Sequence, residues 1–370
     1  MADRAKISIL NYPFYFYENR YGLFPTDLLI CDEGHQIDSQ ILSVASTGFE
    51  AVHLSELSRI GVDLPEPKDL LLSNNPAIQS AAQAGLMAVS SHLDSYEELP
   101  PPLYVDLQRR LQSLVDLKGK LAVAQEYTYA PILSEQFAND YLRAKKIVLM
   151  SATIFGPEYW SHRLGIEDVE YLEVPSSFPA QNRPIYIQPV CSVSQKWWDK
   201  PDEQKKLINA IDNIIKRHIP KKGLIHSVSY RLTDWILTNS MFAGSGYLIK
   251  GDSDQAVDDW KKADKGILVS PRATEGVDLP DELCDFIIIP KVPYLSLGDQ
   301  VTRLQMQEIP GFYEYKAMSA IIQGAGRGMR HKDDKCDTYI LDQNWYHLFR
   351  GMKDQLPRWF TEALIYQKKL

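Results

Sequence analysis

Short apolar runs rich in β-branched residues constrain the fold of this chain more than any other feature. Several of the segments between them carry apolar residues three or four apart, as amphipathic helices do. Unbroken apolar runs of this length are typical of strands buried on both faces, as parallel strands are. The runs cover residues 28–31, 147–150, 185–187, 224–226, 247–249, 267–269, 286–289 and 339–341. Their alternation with helices predicts an α/β fold.

Residues 37–143 have a different pattern. Strand signals fade there, and Leu107, Leu111 and Leu114 form a helical stripe. Prolines also recur in this segment, including the run at 100–102. We therefore expect a mostly helical insertion between two strands of one sheet, with the stripe packed in its core.

Composition limits the class of protein. At 370 residues the chain is longer than a chain that folds around one ordinary hydrophobic core. It contains no apolar stretch long enough to span a bilayer and no secretory signal pattern, which predicts a cytoplasmic protein without a membrane partner. A net charge of −8 argues against a protein that coats nucleic acid non-specifically. The same net charge is compatible with a local basic track that contacts nucleic acid. The four cysteines form no Cys-x-x-Cys pair, so we expect buried thiols rather than metal ligands.

The first run ends in two adjacent acids, Asp32 and Glu33. Open α/β sheets bind ligands at the carboxyl edge of their strands, where these acids are expected to lie. An Asp in that position can hold Mg²⁺, which favours few protein carboxylates together with phosphates. The following Glu can orient and deprotonate an attacking water. The alternative interpretation is an ordinary exposed Asp-Glu turn.

Two further segments carry polar groups after apolar runs. Ser151 and Thr153 follow the second run, and hydroxyls there can bridge a carboxylate or phosphate network. Glu275, Gly276 and Asp278 lie in a loop after the run 267–269. Each of these patterns is also common in ordinary turns.

The most specific pattern is Gln323 followed by Arg327 and Arg330 in a glycine-rich segment. Arginines three apart lie on one face of a helical turn, and Gln323 lies one turn earlier. Two guanidinium groups beside closely approaching backbone suit the γ-oxygens of a triphosphate. The alternative is a basic surface turn.

In this order and spacing, the motifs resemble those of superfamily 2 DNA helicases, specifically the Rad3/XPD/DinG branch with its DEAH-type acidic strand. Asn11-Tyr12 before the acidic strand, and the segments 175–184 and 289–294, are similar to stretches of that branch. The resemblance implies two RecA-like parallel-sheet lobes. Residues 1–36 and 144–175 would form an incomplete first lobe, 37–143 an arch-like insertion, and 176–370 the second lobe.

The resemblance also implies a role for each matching position. Asp32 would hold Mg²⁺–ATP and Glu33 would activate water. Coupling of nucleotide state to the DNA side would fall to His35, Ser151 and Thr153, and nucleic-acid contact to Arg183, His226, Ser227 and Ser229. Glu275, Gly276 and Asp278 would lie at the ATP cleft and its DNA edge. Gln323, Arg327 and Arg330 would face the γ-phosphate, with Arg330 as arginine finger. Family members move 5′ to 3′ on single-stranded DNA, and DNA repair is one pathway they serve.

The 370 residues contain no Gly-x-x-x-x-Gly-Lys-[Ser/Thr] sequence, the loop that cradles the β,γ-phosphates. We therefore expect the C-terminal portion of an ATP-dependent helicase, inactive alone, whose phosphate loop lies in a missing or separate N-terminal segment. No iron–sulfur ligand set is encoded in this segment. Two alternatives stay open: a non-hydrolysing nucleic-acid-binding or scaffold protein derived from such a motor, and a metal-dependent hydrolase using Asp32, Glu33 and His35.

Overall fold

A computed structural model describes residues 6–19, 22, 26–65, 76–96, 101–117, 119, 121–125, 127–271, 284–329, 331 and 333–366. Parallel sheets and many helices confirm the predicted α/β class. The chain divides into unit 1, residues 1–170 and 296–312, and unit 2, residues 171–295 and 313–370. No described helix is both long and apolar enough to cross a membrane.

The elements in chain order have the following bounds. The helices are α1 (Tyr12–Asn19), α2 (Ile37–Ala45), α3 (Ala51–Arg59), α4 (Pro76–Leu93), α5 (Pro102–Val115), α6 (Glu135–Tyr141), α7 (Pro157–Leu164), α8 (Pro201–His218), α9 (Tyr230–Asn239), α10 (Asp254–Lys262), α11 (Gln300–Glu308), α12 (Phe312–Gly326), α13 (Asn344–Met352) and α14 (Arg358–Thr361). The strands are β1 (Thr26–Cys31), β2 (Thr47–Gly48), β3 (Leu121–Gln125), β4 (Thr128–Pro131), β5 (Ala144–Leu149), β6 (Ile185–Cys191), β7 (Gly223–His226), β8 (Leu248–Lys250), β9 (Ile267–Ser270), β10 (Phe286–Ile289), β11 (Asp337–Asp342) and β12 (Leu364–Tyr366).

Unit 1 contains a parallel pair of strands and a small antiparallel sheet. β1 pairs with β5 in a register that sets Cys31 opposite Leu149. The antiparallel sheet has the order β2-β4-β3. Between β2 and β3 along the chain, α4 and α5 pack together. The predicted stripe of Leu107, Leu111 and Leu114 on α5 is fully buried. The insertion is therefore mostly helical, with a short sheet that its sequence pattern does not predict.

Helix α11 lies in unit 1, although the chain on both sides of it belongs to unit 2. Its Leu304 packs against Ala122 and Ile132, and the side-chain amide of Gln305 donates to the carbonyl of Ile132 at 3.3 Å. Residues 296–312 thus pack on the insertion, whereas the proposed second lobe spans 176–370. The assignment of lobes stays a prediction.

Unit 2 is built on a seven-stranded sheet in the order β12-β6-β11-β10-β7-β9-β8, whose pairs are all parallel. Helices α8 and α9 bury Leu207, Ile211 and Ile236 against the sheet, together with Trp197. Because parallel strands all end at one edge, the residues after β6, β7, β9, β10 and β11 meet there. Polar residues after β7 and at the end of β11 are thereby gathered at one rim of unit 2.

A buried ion pair ties α7 to α2 in unit 1. The Nη2 of Arg163 lies 2.9 Å from Oδ2 of Asp38, and the side chains are 2% and 1% exposed. Removal of one partner leaves the other charge buried without its ion-pair partner, which is the costly case for such pairs. This pair therefore constrains how the segment after β5 packs on the helix after β1.

We expect Asp38→Ala or Arg163→Met to lower the free energy of unfolding of unit 1 by about 3–5 kcal/mol, and the double variant to lose less than the sum. Urea denaturation together with hydrogen exchange of α2 and α7 would measure this. The control is Lys145→Met, which removes the exposed pair with Asp27 and should change neither reading. Additive losses in the double variant would contradict the coupling.

Candidate nucleotide and nucleic-acid sites

The acids after β1 lie at the carboxyl end of the parallel pair, as predicted. Asp32 and Glu33 are exposed, and Glu33 adopts a left-handed conformation with φ 48°. The backbone N–H of Gly34 then donates to the carbonyl of Met150 at 2.8 Å. This turn holds the acids beside the end of β5.

Tyr12 holds the acidic turn from the other side. Its hydroxyl donates to the backbone carbonyl of Asp32. Burial, followed by the nearby Cys31 and the two acids, raises the pKa of Tyr12, so the phenol stays protonated as a donor. Asn11 accepts from the backbone N–H of Phe14 at 2.9 Å, at the start of α1. The Asn11-Tyr12 segment therefore positions the acids, a role that its sequence alone does not show.

Ser151 is the centre of a polar network in unit 1. Its Oγ lies 2.8 Å from Nδ1 of His35 and 3.2 Å from Oγ1 of Thr153, and it donates to Oε2 of Glu33 at 3.5 Å. His35 Nδ1 also lies 3.2 Å from the same Glu33 oxygen. The structure thus brings together four of the predicted residues, two from each strand end.

Gly34 permits the close approach of the two strand ends. A Cβ at this position would lie 2.9 Å from Cβ of Leu149 and 3.1 Å from Cδ1 of Ile154. In this structure an added methyl group requires neighbours to shift.

Four residues predicted to contact nucleic acid are used inside unit 2 instead. His226 and Ser227 are 2% and 0% exposed, and Ser227 shares a hydrogen bond with Thr233 at 2.6 Å. Ser229 caps α9 by accepting from the backbone N–H of Leu232. Their side chains are therefore not arranged for the strand contact expected of them.

Arg183 requires the same correction. It is 6% exposed, its Nη2 lies 2.6 Å from Oε1 of Glu362, and its guanidinium lies over the ring of Trp359. It also donates to the backbone carbonyl of Phe178 at 3.0 Å. Arg183 ties the chain before β6 to the C-terminal segment and leaves no exposed charge for a phosphate.

The glycine–arginine segment follows α12. Gln323 lies in the last turns of the helix, and Arg327 follows its end at Gly326, so the helix does not extend to the second arginine. Both side chains are half-buried. Gly328 packs so closely on Cys336 that an added Cβ would lie 2.3 Å from its sulfur. Arg330, Glu275, Gly276 and Asp278 lie outside the described residues.

Asp342, which sequence analysis did not assign a role, organises the rim of unit 2. Its carboxylate is fully buried and accepts backbone N–H groups from Val193 at 3.2 Å, Val292 at 2.9 Å and Asn344 at 3.0 Å. Burial raises the pKa of Asp342, although the three N–H groups oppose that shift. One carboxylate therefore joins the segments after β6, β10 and β11.

Among the described residues, no group of three or more His, Cys, Asp or Glu side chains could hold a metal ion. The predicted Mg²⁺ site is of another kind, a single Asp at a strand end. Asp32 fits such a role because it is exposed and its Oδ1 is fixed by the N–H of Glu33 at 3.0 Å. The metal-dependent hydrolase alternative gains no support from the described residues.

Comparison with known proteins points to helicases. The helicase C-terminal domain family matches residues 212–363. The ATP-dependent DNA helicase XPD of Sulfolobus acidocaldarius is 22% identical over 403 residues, which cover 94% of this chain and 71% of that protein. The ATP-dependent DNA helicase CHL1 of Vanderwaltozyma polyspora is 24% identical over 115 residues, only 14% of its length. These matches support an XPD/Rad3-type helicase of superfamily 2.

Solved structures of XPD proteins have a similar fold. An apo XPD structure has a TM-score of 0.60 at 16% identity and covers 96% of this chain and 81% of that one. The Xpd of S. tokodaii gives 0.60 at 13% identity with the same coverages. At such identities the likeness concerns the fold, and the individual site residues stay predictions.

We expect Gly34→Ala to lower the free energy of unfolding by about 1–3 kcal/mol, because the added methyl overpacks against Leu149. The matched control is Gly351→Ala in α13, where no atom lies within 4 Å of an added Cβ. That exchange should raise stability by about 0.5–1 kcal/mol through helix propensity. Equal effects of the two exchanges in thermal or urea denaturation would contradict the steric explanation.

Burial lowers the pKa of His226 to about 4, with a further contribution from Arg327. The folded protein thus favours neutral His226, and this stabilisation is present above pH 6.5 and lost as the pH falls towards 4. Between pH 7.5 and 4.5, the wild type should lose about 2–3 kcal/mol more than His226→Gln. Six of the seven tryptophans lie in unit 2, so tryptophan fluorescence in urea reports its unfolding. The exposed His347→Gln is the control and should follow the wild type.

Proposed function

We propose that this chain is the C-terminal portion of an ATP-dependent DNA helicase, in which nucleoside-triphosphate hydrolysis drives 5′-to-3′ movement on single-stranded DNA. The observation that carries the proposal is the Ser151 network. It links the acid proposed to activate water, Glu33, to two residues proposed to sense nucleotide state, His35 and Thr153. An ordinary exposed Asp-Glu turn has no need of these bonds.

Asp32 is proposed to hold Mg²⁺ bound to ATP, and Mg²⁺ supplies neutralisation of the phosphate charge. Glu33 is proposed to orient a water and accept its proton. Its carboxylate is 65% exposed and can reach a water, while one oxygen lies 3.2 Å from His35. Loss or gain of the bond with Ser151 would then change the position of His35 and Thr153, which is a physical route for coupling.

The residues of unit 2 complete the proposed set. Gln323, Arg327 and Arg330 are proposed to contact the γ-phosphate, with Arg330 as arginine finger. Glu275, Gly276 and Asp278 are proposed to contact the nucleotide and the DNA backbone. Asp342 is proposed to act as a positioning residue, because it fixes the segments after β6, β10 and β11 on which such contacts depend.

Hydrolysis needs a phosphate-binding loop, and the 370 residues contain none. Exposed acids and arginines cannot replace the backbone N–H groups and the Lys of that loop. We therefore propose that these residues alone bind single strands without turning over ATP. The same sequence fact favours the second candidate, a non-hydrolysing DNA-binding protein derived from a helicase. Nucleotide turnover after a segment with a phosphate loop is added would exclude that second candidate.

The test has two arms on the 370-residue chain. We expect no ATP turnover above background with or without DNA, and no difference between wild type and Glu33→Gln. We also expect affinity for a 20-nucleotide single strand that falls steeply with added salt and exceeds the affinity for duplex. A kcat that disappears in Glu33→Gln would overturn the first expectation, and equal affinity for duplex would overturn the second.

A further inference from the structure

An exposed aromatic and cationic group lies at the rim of unit 2, beside the residues that are buried there. Tyr230 is 46% exposed and begins α9. Arg231 is exposed, and its guanidinium carbon lies 3.8 Å from the centre of the Trp198 ring. Lys196, in the turn before Trp198, is also exposed. Chain order places these residues just after β6 and β7, at the carboxyl edge of the sheet.

Trp198 is held firmly enough to support a ligand. Its ring makes an edge contact with Trp197 at 5.0 Å, and Trp197 is fully buried and makes another with Trp235 at 4.9 Å. The side-chain amide of Gln204 donates to the carbonyl of Trp198 at 2.8 Å. Because Trp197 and Gln204 fix the indole of Trp198, the guanidinium of Arg231 that lies on this indole is held at the surface.

The charge of Arg231 is not neutralised within the described part of unit 2. No ion pair joins it to a described carboxylate, and Asp234, on the next turn of α9, pairs instead with Lys250 at 2.9 Å. A guanidinium that lies on an indole keeps its outer side free. Nucleic-acid bases stack on such planes and on exposed tyrosine rings.

We infer that Tyr230, Arg231 and Trp198 form a base-stacking site for single-stranded DNA, with Lys196 near the phosphates. The inference rests on the proposed function and names the contact residues that His226, Ser227 and Arg183 do not supply. Tyr230 offers a ring to one base, and the Arg231–Trp198 pair offers a second surface with a positive charge. The site recognises base planes without reading sequence.

The test compares binding of the full chain to a 20-nucleotide thymidine strand and to an abasic strand of equal length. Wild type should prefer the thymidine strand. Arg231→Ala and Tyr230→Ala should each weaken thymidine binding by roughly tenfold and leave abasic binding less affected, because stacking contributes per base. Tyr230→Phe keeps the ring and should bind as wild type does, and Arg231→Lys should lie between.

The matched control is Arg217→Ala, which removes an exposed arginine from the last turn of α8, at the opposite edge of the sheet. This variant should keep the preference for the thymidine strand. All variants should have the same melting temperature as the wild type. If wild type binds the thymidine strand but Arg231→Ala and Tyr230→Ala match Arg217→Ala, the stacking site is wrong and the proposed function stands. If wild type binds no single strand, both fall.

Discussion

Parallel pairing of β1 with β5 is the interaction on which the proposed nucleotide site depends. The two strands are separated by more than a hundred residues of sequence, yet their register sets Cys31 opposite Leu149. That register delivers Glu33 and Ser151 to the same edge, each two residues beyond the last residue of its strand. A one-residue slip would turn alternate side chains to the other face and separate them. The insertion between the strands can therefore vary in structure as long as it returns β5 to this position.

Six of the seven strands of the larger sheet were predictable because burial on both faces leaves a simple signal, whereas the edge strand β12 is largely exposed and gave none. Each of the eight apolar runs lies in or overlaps a strand. The short strands β2 and β4 gave no such signal, since Thr47, Gly48 and Thr128 carry little apolar character. The packing of α11 on the insertion could not be predicted either. It depends on contacts between Leu304 and residues of the insertion that are distant in sequence.

The site was predictable as motifs but not as geometry. Asp32, Glu33, His35 and Ser151 were found from residue type and spacing, and the structure joins three of them through hydrogen bonds. His226 and Ser227 matched the expected segment equally well, yet they are buried. A motif match reports the position along the chain, whereas exposure depends on which neighbour covers it. The exposed residues of that segment, Tyr230 and Arg231, begin the helix that follows.

The proposed binding of single strands has to be compatible with an acidic chain. The net charge of −8 repels phosphates at a distance, so long-range steering contributes little to binding. Contacts must then be short-range, and stacking is well suited because it is less dependent on the overall field than phosphate contacts are. Arg231 combines both kinds, since its charge is local and its plane lies on Trp198. For this reason the proposed stacking site does not require a basic surface around it.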